Sequence, residues 1–509
     1  MNLTKRKISA FLLMIGALLR GHGLPLPAVW YDEAYSIELT RLPLIQLVRA
    51  KYIHFNPPLW EIVLWPFARI SEHPVMVRLP SLLASVGALY VFWLIMDELE
   101  FSGNQRLFAS VLGGILPGHF LIAQDARVYA LLTLLYMVSI LFAIRGKLWG
   151  LTAVSGLMLY AHTVAAVFAA SAYLLAWYMN RDRLKGVVLS GLAALASWLP
   201  WLPSLLNASG EFWLNSLTPD YFLLSSMQAV WAQSLPDSLL LVSFFILLFY
   251  SLVGAVITLS VSIPELYRVG AENFHQGRAA VKLLGAEKVA AFLSPPELPA
   301  ARPEDKPITP LGIVTIVPLG LMILESLLWQ NIIFYRPLTI FLLPFSLWLA
   351  AAAAPLEPKW YKLILPGSLC LLVLAGLFGW NPAQKGGNLD LVAQRIERDL
   401  SPGDVIFYAT GTAALPFEYH ISVPHQAYIM DADQHNGLLQ NDIQDIFGYQ
   451  RTTLDEIDPE FIIIPRDPII EQDVFDHIEG YLETARIKGR GSVEYWQASP
   501  IEIYQLEVE

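Results

Sequence analysis

The sequence predicts an α-helical polytopic membrane protein with about eleven transmembrane helices and a small C-terminal soluble α/β domain. Of its 509 residues, 55% are hydrophobic and only 15% are charged, whereas roughly a quarter of the residues in a soluble protein are charged. From Asn381 onward there are 23 acidic and 8 basic residues, which leaves 21 acidic and 25 basic residues in the first 380. We therefore place a transmembrane domain at 1–380 and a separate, acidic domain at 381–509.

The transmembrane prediction depends on apolar runs, since about 17–25 apolar residues cross a bilayer as a helix. The runs are 8–25, 77–97, 107–123, 127–145, 148–163, 164–180, 186–204, 236–262, 310–330, 332–354 and 361–380. The first run follows a basic segment, as a secretory signal does, but no small-residue cleavage site comes after it. We interpret it as an uncleaved helix.

The basic residues of the first 380 positions predict the orientation, because basic loops stay in the cytoplasm. When the eleven helices are threaded in order, the basic clusters fall on one side: Lys5–Lys7, Arg106, Arg145 with Lys147, Arg181 to Lys185, the loop 264–309, and Lys359 with Lys362. The sequence thus predicts a multi-pass protein of the plasma membrane. Its N-terminus is cytoplasmic and its C-terminal domain is extracytoplasmic.

The same threading brings the unusual polar residues to the outer face. These residues are Asp32, Glu33, His54, Asn56, Arg78, Gln124, Asp125, Arg127, His162, Asn331 and Arg336. Transporters place their ionisable groups near the bilayer midplane, so this pattern favours a site at the outer surface. Outer loops are expected at 26–76 and 205–235, and within the first loop 37–50 and 58–70 are expected to form helices in the interface plane.

Two adjacent carboxylates, Asp32 and Glu33, come directly after the first predicted helix. Charged groups are costly near lipid, so a carboxylate pair at the membrane edge is a candidate functional site. Neighbouring side chains diverge, and only one of the two can face a substrate. We predict that Asp32 is a catalytic base and that Glu33 pairs with an arginine or accepts backbone N–H groups. The structural alternative is a solvated loop pair or a helix cap.

Short motifs occur in a fixed order over the first 205 residues. They are Arg20, Tyr31-Asp32-Glu33-Ala34, His54-Phe55-Asn56-Pro57-Pro58-Leu59, Arg78-Leu79-Pro80-Ser81, Ala123-Gln124-Asp125-Ala126-Arg127-Val128-Tyr129-Ala130 and Tyr160-Ala161-His162. Together these motifs resemble the GT-C glycosyltransferases, in particular the branch that holds protein O-mannosyltransferases and the lipid A aminoarabinose transferase. One departure is Tyr335-Arg336-Pro337, where the family often has Arg-Tyr.

The resemblance implies an inverting glycosyltransferase that moves a monosaccharide from a polyprenyl-phosphate carrier to an acceptor lipid, glycan or protein at the outer face. Asp32 and Glu33 are the catalytic candidates. The candidates for binding the donor phosphate or substrate are Arg127, Arg78, His54, His162, Tyr129, Gln124, Asp125, Arg336 and Arg20. A carboxylate can act as the base that such a transfer needs, and arginines can stabilise the departing phosphate.

Structural alternatives apply to several of these residues. Asp125 and Arg127 can pair with each other, His54 can cap the following helix, His162 can be a polar helix end, and Arg20 can snorkel to an interface. Two other classes of function stay open: a lipid or polysaccharide transporter, and a non-catalytic membrane anchor for the C-terminal domain.

Cofactors and other partners are constrained by composition. No Cys/His cluster or outer carboxylate triad supports a metal site, although a divalent metal held by distant acidic residues stays possible, and no cofactor is expected. The acidic tail argues against nucleic-acid binding. The only cysteine, Cys370, lies in an apolar run, so the chain cannot form a disulfide with itself.

The C-terminal domain is predicted to alternate helices and strands. Helices are expected at 389–400 and 471–485, strands at 405–409 and 461–465, and an antiparallel pair at 492–497 and 501–508. The turn 409–413 looks like a phosphate-binding turn, but it has a single glycine, and an ordinary strand-to-helix turn is favoured.

Overall fold

A helical bundle forms from the first three quarters of the chain, and a mixed β-sheet with flanking helices forms from the last quarter. The computed structural model describes residues 3–53, 56–207, 217–281, 307–328, 331–353, 361–382, 387–430, 447, 449–465, 472–493 and 501–507.

The helices of the bundle follow the apolar runs and the outer loops between them. They are α1 (Leu3–Gly21), α2 (Tyr31–Arg41), α3 (Leu44–Ile53), α4 (Leu59–Ile70), α5 (Pro74–Glu98), α6 (Gly103–Ile115), α7 (Pro117–Ala123), α8 (Tyr129–Ile144), α9 (Leu148–Ala161), α10 (Ala165–Met179), α11 (Leu184–Trp198), α12 (Leu202–Asn207), α13 (Pro219–Trp231), α14 (Asp237–Val281), α15 (Ile308–Leu328), α16 (Tyr335–Thr339), α17 (Leu342–Ala352) and α18 (Tyr361–Gly379).

Each of the eleven predicted runs coincides with one of these helices or with a broken helix pair. By length and hydropathy, four helices of the described part of the chain are able to cross a membrane, at 74–98, 181–206, 237–261 and 308–328. The pair α6 and α7, bent by 47°, makes a fifth candidate span, and five shorter apolar helices of 10–17 residues occur among the described residues. The bend falls at Leu116-Pro117, where proline disfavours a helical residue before it.

The basic clusters assigned to the cytoplasm meet at one end of the bundle. Arg6 and Arg106 both pair with Asp97 at the end of α5, at 3.1 and 2.7 Å. Arg145, which follows α8, lies 2.6 Å from Glu98. These contacts bring together the ends of α1, α5, α6 and α8 that the threading assigns to the cytoplasm. The segment with Asp32 lies between the opposite ends of α1 and α5.

Close backbone approach joins α1 to α6 inside the bundle. A Cβ atom on Gly16 would lie 2.3 Å from the carbonyl oxygen of Gly114, so only glycine fits there. Small residues allow helices in membranes to pack backbone to backbone. This approach also exposes the carbonyl groups of α6 to the side chain of Arg20, one turn further along α1.

Two segments have a structure that differs from the prediction. The expected helix 37–50 is instead two helices, because Pro43 ends α2 and Leu42 takes an extended conformation with ψ of 151°. The loop expected at 264–309 is helical up to Val281, since α14 continues beyond the apolar run. Residues 265–281 contain three Ala, two Glu and two Arg residues, which favour helix, and this preference outweighs Pro264 and the two Gly residues of the segment.

The C-terminal part forms a six-stranded sheet in the order β3-β2-β1-β4-β6-β5 among the described residues. The strands are β1 (Val405–Tyr408), β2 (Gln426–Met430), β3 (Gln450–Thr452), β4 (Phe461–Pro465), β5 (Ile487–Val493) and β6 (Ile501–Leu506), and the helices are α19 (Leu389–Asp399), α20 (Gly411–His420) and α21 (Gln472–Thr484). Strands β1 to β4 pair in parallel, and β6 pairs antiparallel with both β4 and β5.

The predicted antiparallel pair is confirmed, and its first strand begins at Ile487, five residues before the expected start, and is described as far as Val493. Residues 494–497 of the expected strand lie outside the described residues. The turn 409–413 is a strand-to-helix turn in which Thr410 caps α20, since its hydroxyl accepts the Ala413 N–H at 3.4 Å. Strands β2 and β3 and helix α20 were not predicted.

The C-terminal domain packs directly on the start of α2. In helix α20, Tyr419 donates from its hydroxyl to the carbonyl oxygen of Glu72, and the Nε2 of His420 lies 3.1 Å from the carbonyl oxygen of Val29. Ala28 belongs to the apolar core of the C-terminal domain, and Phe447 meets the ring of Tyr35 edge to face at 6.0 Å. The segment that precedes Asp32 is thus held from both the bundle and the sheet.

Candidate functional site

The site is organised around the first turn of α2. Trp30 is extended, with φ of −100° and ψ of 175°, and helix begins at Tyr31. Asp32 and Glu33 therefore stand in the first helical turn, where carboxylates are favoured by the positive end of the helix dipole. Because successive side chains of a helix point about 100° apart, the two carboxylates diverge. Asp32 is partly exposed, whereas Glu33 is fully buried.

Glu33 is engaged inside the protein on both carboxylate oxygens. Arg78 donates to it from Nε at 2.8 Å and from Nη2 at 2.6 Å, a bidentate pair. The backbone N–H of Ala126 donates to Oε1 at 2.7 Å. The contacts predicted for Glu33, an arginine and a backbone N–H, are both confirmed. This carboxylate ties α2 to α5 and to the turn before α8.

Asp32 lies between two arginines. Its Oδ2 accepts a hydrogen bond from Nη1 of Arg336, and its Oδ1 lies 4.0 Å from Nη2 of Arg127. The side chains of Asp32, Arg127 and Arg336 are 19%, 19% and 13% exposed, so the cluster is shielded but reachable. A carboxylate between two guanidinium groups leaves local positive charge in excess, which favours a further anion.

Arg336 is held by aromatic rings. Its guanidinium carbon lies 4.2 Å from the ring centroid of Trp30, within the range of a cation–π contact. Its Nε donates to the hydroxyl oxygen of Tyr335 at 2.9 Å. The Tyr335-Arg336-Pro337 segment forms the first turn of α16. Although its order departs from that of the family, it still brings the arginine to the site.

Arg127 is anchored through one of its nitrogens. Nη1 donates to the carbonyl oxygen of Asp32 at 3.0 Å and to the Ser36 hydroxyl at 2.9 Å. Its Nε is buried and has no hydrogen-bond partner among the described residues. A buried donor of this kind calls for a partner, and with Nη2 it gives Arg127 capacity to bind an anion.

His162 lies in the turn between α9 and α10, with its ring centroid 5.9 Å from that of Tyr129. Burial, together with the positive charge of Arg127, lowers the pKa of His162 to about 3, so the imidazole is neutral at neutral pH. Its Nδ1 accepts the Val164 N–H at 3.1 Å. The ring proton therefore resides on Nε2, which leaves His162 as a hydrogen-bond donor with no charge.

Three of the predicted ligands lie in the framework of the bundle. Arg78 uses its five N–H groups on Glu33 and on backbone carbonyl oxygens of Leu24, Pro27 and Ala28. Arg20 is fully buried and donates to Ser85 and to carbonyl oxygens of α1 and α6. Gln124 donates to the carbonyl oxygens of Arg20 and His22.

These hydrogen bonds position the turns around the site and leave Arg78 without a donor for phosphate. The Asp125 carboxylate accepts from the indole of Trp30 at 3.2 Å and so helps to fix the ring under Arg336. His54 lies outside the described residues.

A buried ion pair beside the site was not predicted. Nζ of Lys51 lies 3.1 Å from Oε1 of Glu61, and the two side chains are 6% and 4% exposed. The Glu61 carboxylate interacts electrostatically with Arg127, and the Lys51 ammonium group interacts electrostatically with His162. The signal in the sequence was one lysine and one glutamate among the mostly apolar residues of α3 and α4. The prediction that these helices lie in the interface plane did not use it.

The ligand chemistry of the site suits anions. Two guanidinium groups lie beside one carboxylate, whereas hard cations need several oxygen ligands. Among the described residues, no group of three or more His, Cys, Asp or Glu side chains could hold a metal ion.

The helical bundle and the C-terminal sheet together make a polytopic membrane fold that resembles solved GT-C structures. Among solved structures, the chain resembles the crystal structure of ArnT from Cupriavidus metallidurans in the apo state, with a TM-score of 0.53, and that of ArnT bound to undecaprenyl phosphate, with a TM-score of 0.54. In both comparisons the sequence identity is 12% and 97% of each chain is covered.

ArnT is the lipid A aminoarabinose transferase, a GT-C protein. The GT-C-like fold expected from the sequence is therefore confirmed. No protein-family model and no curated protein matches the sequence.

Proposed function

We propose that the protein is a membrane glycosyltransferase that moves a monosaccharide from a polyprenyl-phosphate carrier to an acceptor at the outer face of the membrane. The observation that carries this proposal is the position of Asp32, between Arg127 and Arg336 at one end of a GT-C-like bundle. The site offers a base and an anion-binding surface side by side. Both are needed for displacement of a phosphate leaving group.

In the proposed reaction the acceptor hydroxyl attacks the anomeric carbon of the donor sugar, and its proton passes to Asp32. A new C–O bond forms to the acceptor while the bond between the anomeric carbon and the phosphate oxygen breaks. The electron pair stays on that oxygen, so polyprenyl phosphate leaves with an added negative charge. Arg127, Arg336 and the Nε2–H of His162 stabilise this charge. A single displacement inverts the anomeric configuration.

The apolar setting supports a lipid-linked donor. A polyprenyl chain gains about 0.8 kcal/mol for each methylene that it buries, and the site lies at the ends of membrane-facing helices such as α9 and α10. The acceptor is a lipid, glycan or protein. The proposal requires only that it presents a nucleophilic hydroxyl or amine. We further propose that the site faces outward, that the N-terminus is cytoplasmic, and that no resident cofactor takes part.

The two other functional classes agree less well with the geometry. A transporter would place its ionisable groups at mid-depth, whereas Asp32, Arg127 and Arg336 lie where α2, α8 and α16 begin. A simple anchor for the C-terminal domain has no need for a shielded carboxylate between two arginines.

The experiment is to incubate the purified full chain with a panel of polyprenyl-phosphate sugars and acceptor fractions, and to identify products by mass spectrometry. We expect one sugar to be released from its carrier only when active protein and acceptor are both present. Asp32→Asn protein is the matched control, since it removes the base and leaves a side chain of the same shape. Release at the same rate by this variant, or no release from any donor, would contradict the proposal.

A further inference from the structure

Asp32 and the donor phosphate compete for the same arginine. Nη1 of Arg336 donates to Oδ2 of Asp32, and this oxygen must accept a proton from the acceptor if Asp32 acts as a base. An oxygen that already accepts a charge-assisted hydrogen bond has less capacity to take up that proton. Arg336 in turn needs its Nη groups for the phosphate. The contact present in this structure therefore engages a donor that the phosphate needs and an acceptor that the proton transfer needs.

We propose that donor binding moves Arg336 from the Asp32 carboxylate to the donor phosphate, so that Asp32 becomes available to the acceptor only after the donor has bound. This inference rests on the proposed function. It makes Arg336 the positioning residue that couples donor binding to exposure of the base. It also predicts an ordered reaction in which the donor binds first.

The surroundings of Arg336 suit such an exchange. The Trp30 ring, 4.2 Å from the guanidinium carbon, and the Tyr335 hydroxyl hold the group from sides other than that of Asp32. Both contacts can persist while Nη1 changes from one anion to another. Stacking on an aromatic face tolerates rotation of a guanidinium group in its own plane, because the attraction comes from the ring quadrupole.

Arg127 lies beside the other carboxylate oxygen of Asp32 and is held in place independently of Arg336. It is fixed to the backbone of α2 and to Ser36 through Nη1, while its Nη2 stays 4.0 Å from Oδ1 of Asp32. When Arg336 leaves, Asp32 keeps the nearby positive charge of Arg127 and loses the charge-assisted hydrogen bond from Arg336 on Oδ2. The carboxylate therefore stays ionised, and its capacity to take up the proton of the acceptor rises.

The test is a double-mutant cycle on the affinity for undecaprenyl phosphate, measured with the purified full chain. The proteins are the parent, Asp32→Asn, Arg336→Met and the double variant. We expect Asp32→Asn to bind undecaprenyl phosphate about tenfold more tightly, which is the scale of one hydrogen bond between charged groups. In the Arg336→Met background, the same change should leave the affinity unaltered. Glu38→Gln, which removes a carboxylate elsewhere on α2, is the control and should also leave it unaltered.

Two outcomes would overturn the exchange. Unchanged or weaker binding by Asp32→Asn would show that Arg336 is not shared. A gain of the same size in both backgrounds would show simple repulsion between Asp32 and phosphate. If Asp32→Asn does not fold, Asp32→Ser removes the same carboxylate. Folded protein that fails to bind undecaprenyl phosphate in every form would overturn the proposed function as well, whereas binding by all forms without the expected difference overturns only the exchange.

Discussion

Glu33 and Arg78 form a fully buried bidentate ion pair that joins the first turn of α2 to α5, with N–O distances of 2.8 and 2.6 Å. The carboxylate also accepts the Ala126 N–H, and the guanidinium group also binds carbonyl oxygens of the segment before Trp30. This pair therefore determines where Asp32 lies relative to Arg127. Of the two adjacent acidic residues, Glu33 is fully buried in this pair, whereas Asp32 is partly exposed between two arginines.

We predict that Glu33→Gln lowers the stability of the protein by about 3–5 kcal/mol, because it leaves the buried Arg78 without a charged partner. Arg78→Lys alone should also lower the stability, since lysine cannot make the bidentate contact with the Glu33 carboxylate. Thermal unfolding of the purified protein measures the effect. The control is Glu38→Gln on the same helix, whose ion pair with the half-exposed Arg41 should contribute no more than about 1 kcal/mol. Equal unfolding temperatures for Glu33→Gln and the parent would contradict the framework role.

A second prediction concerns activity. Asp32→Asn should reduce sugar transfer by about 10²–10⁴-fold, which is the usual contribution of general-base catalysis, while its unfolding temperature stays close to that of the parent. Glu33→Gln protein that remains folded should keep more activity. The comparison uses equal amounts of folded protein and mass-spectrometric detection of product. Nearly complete loss in Glu33→Gln with activity retained in Asp32→Asn would assign the base to Glu33.

Much of the bundle and part of the site were predictable from the sequence, for physical reasons. Apolar runs are local, so each predicted helix has a counterpart. The contacts of Glu33 followed from the divergence of neighbouring side chains. The pairing of Asp32 with Arg336 joins residues 304 positions apart and depends on how α16 packs against α8. The prediction that Arg78 binds phosphate was made from residue type, and sequence does not show that five backbone and side-chain acceptors surround this guanidinium group.

The buried pair of Lys51 and Glu61 provides a third prediction. Glu61→Leu alone should destabilise the protein by about 3–5 kcal/mol, because a charged lysine is left in an apolar site. The double change Lys51→Met with Glu61→Leu should recover most of this loss, since well-packed apolar residues often replace a buried ion pair without cost. Thermal unfolding of the two variants measures the difference. A double variant as unstable as the single one would show that the lysine charge is not the cause.

A fourth prediction concerns orientation. In a Cys370→Ala background, a cysteine at exposed Lys488 on β5 should react with a membrane-impermeant maleimide in intact cells, whereas one at exposed Arg183, between α10 and α11, should react only after lysis. The physical reason is the cluster of basic residues at the Arg183 end of the bundle, which stays in the cytoplasm. Gln384, a further position for such a label, lies outside the described residues. Reversed accessibility would place the Asp32 site in the cytoplasm, where nucleotide sugars would be the expected donors.

The last prediction uses the pH dependence of stability at His162. Burial and the charge of Arg127 lower the pKa of His162 to about 3 in the folded protein, against about 6.5 in an unfolded chain. Between these values the unfolded chain binds more protons, so stability rises with pH. The contribution of neutral His162 is present above about pH 6.5 and is lost as the pH falls toward 3.

His162→Gln keeps a hydrogen-bond donor but cannot titrate. We therefore expect the unfolding temperature of the parent to fall more steeply between pH 7 and pH 5 than that of His162→Gln, with the same substitution at exposed His22 as the control for loss of an imidazole. Parallel slopes for the parent and His162→Gln would mean that His162 is not held neutral by its surroundings, and its assignment as an uncharged donor to the phosphate would be wrong.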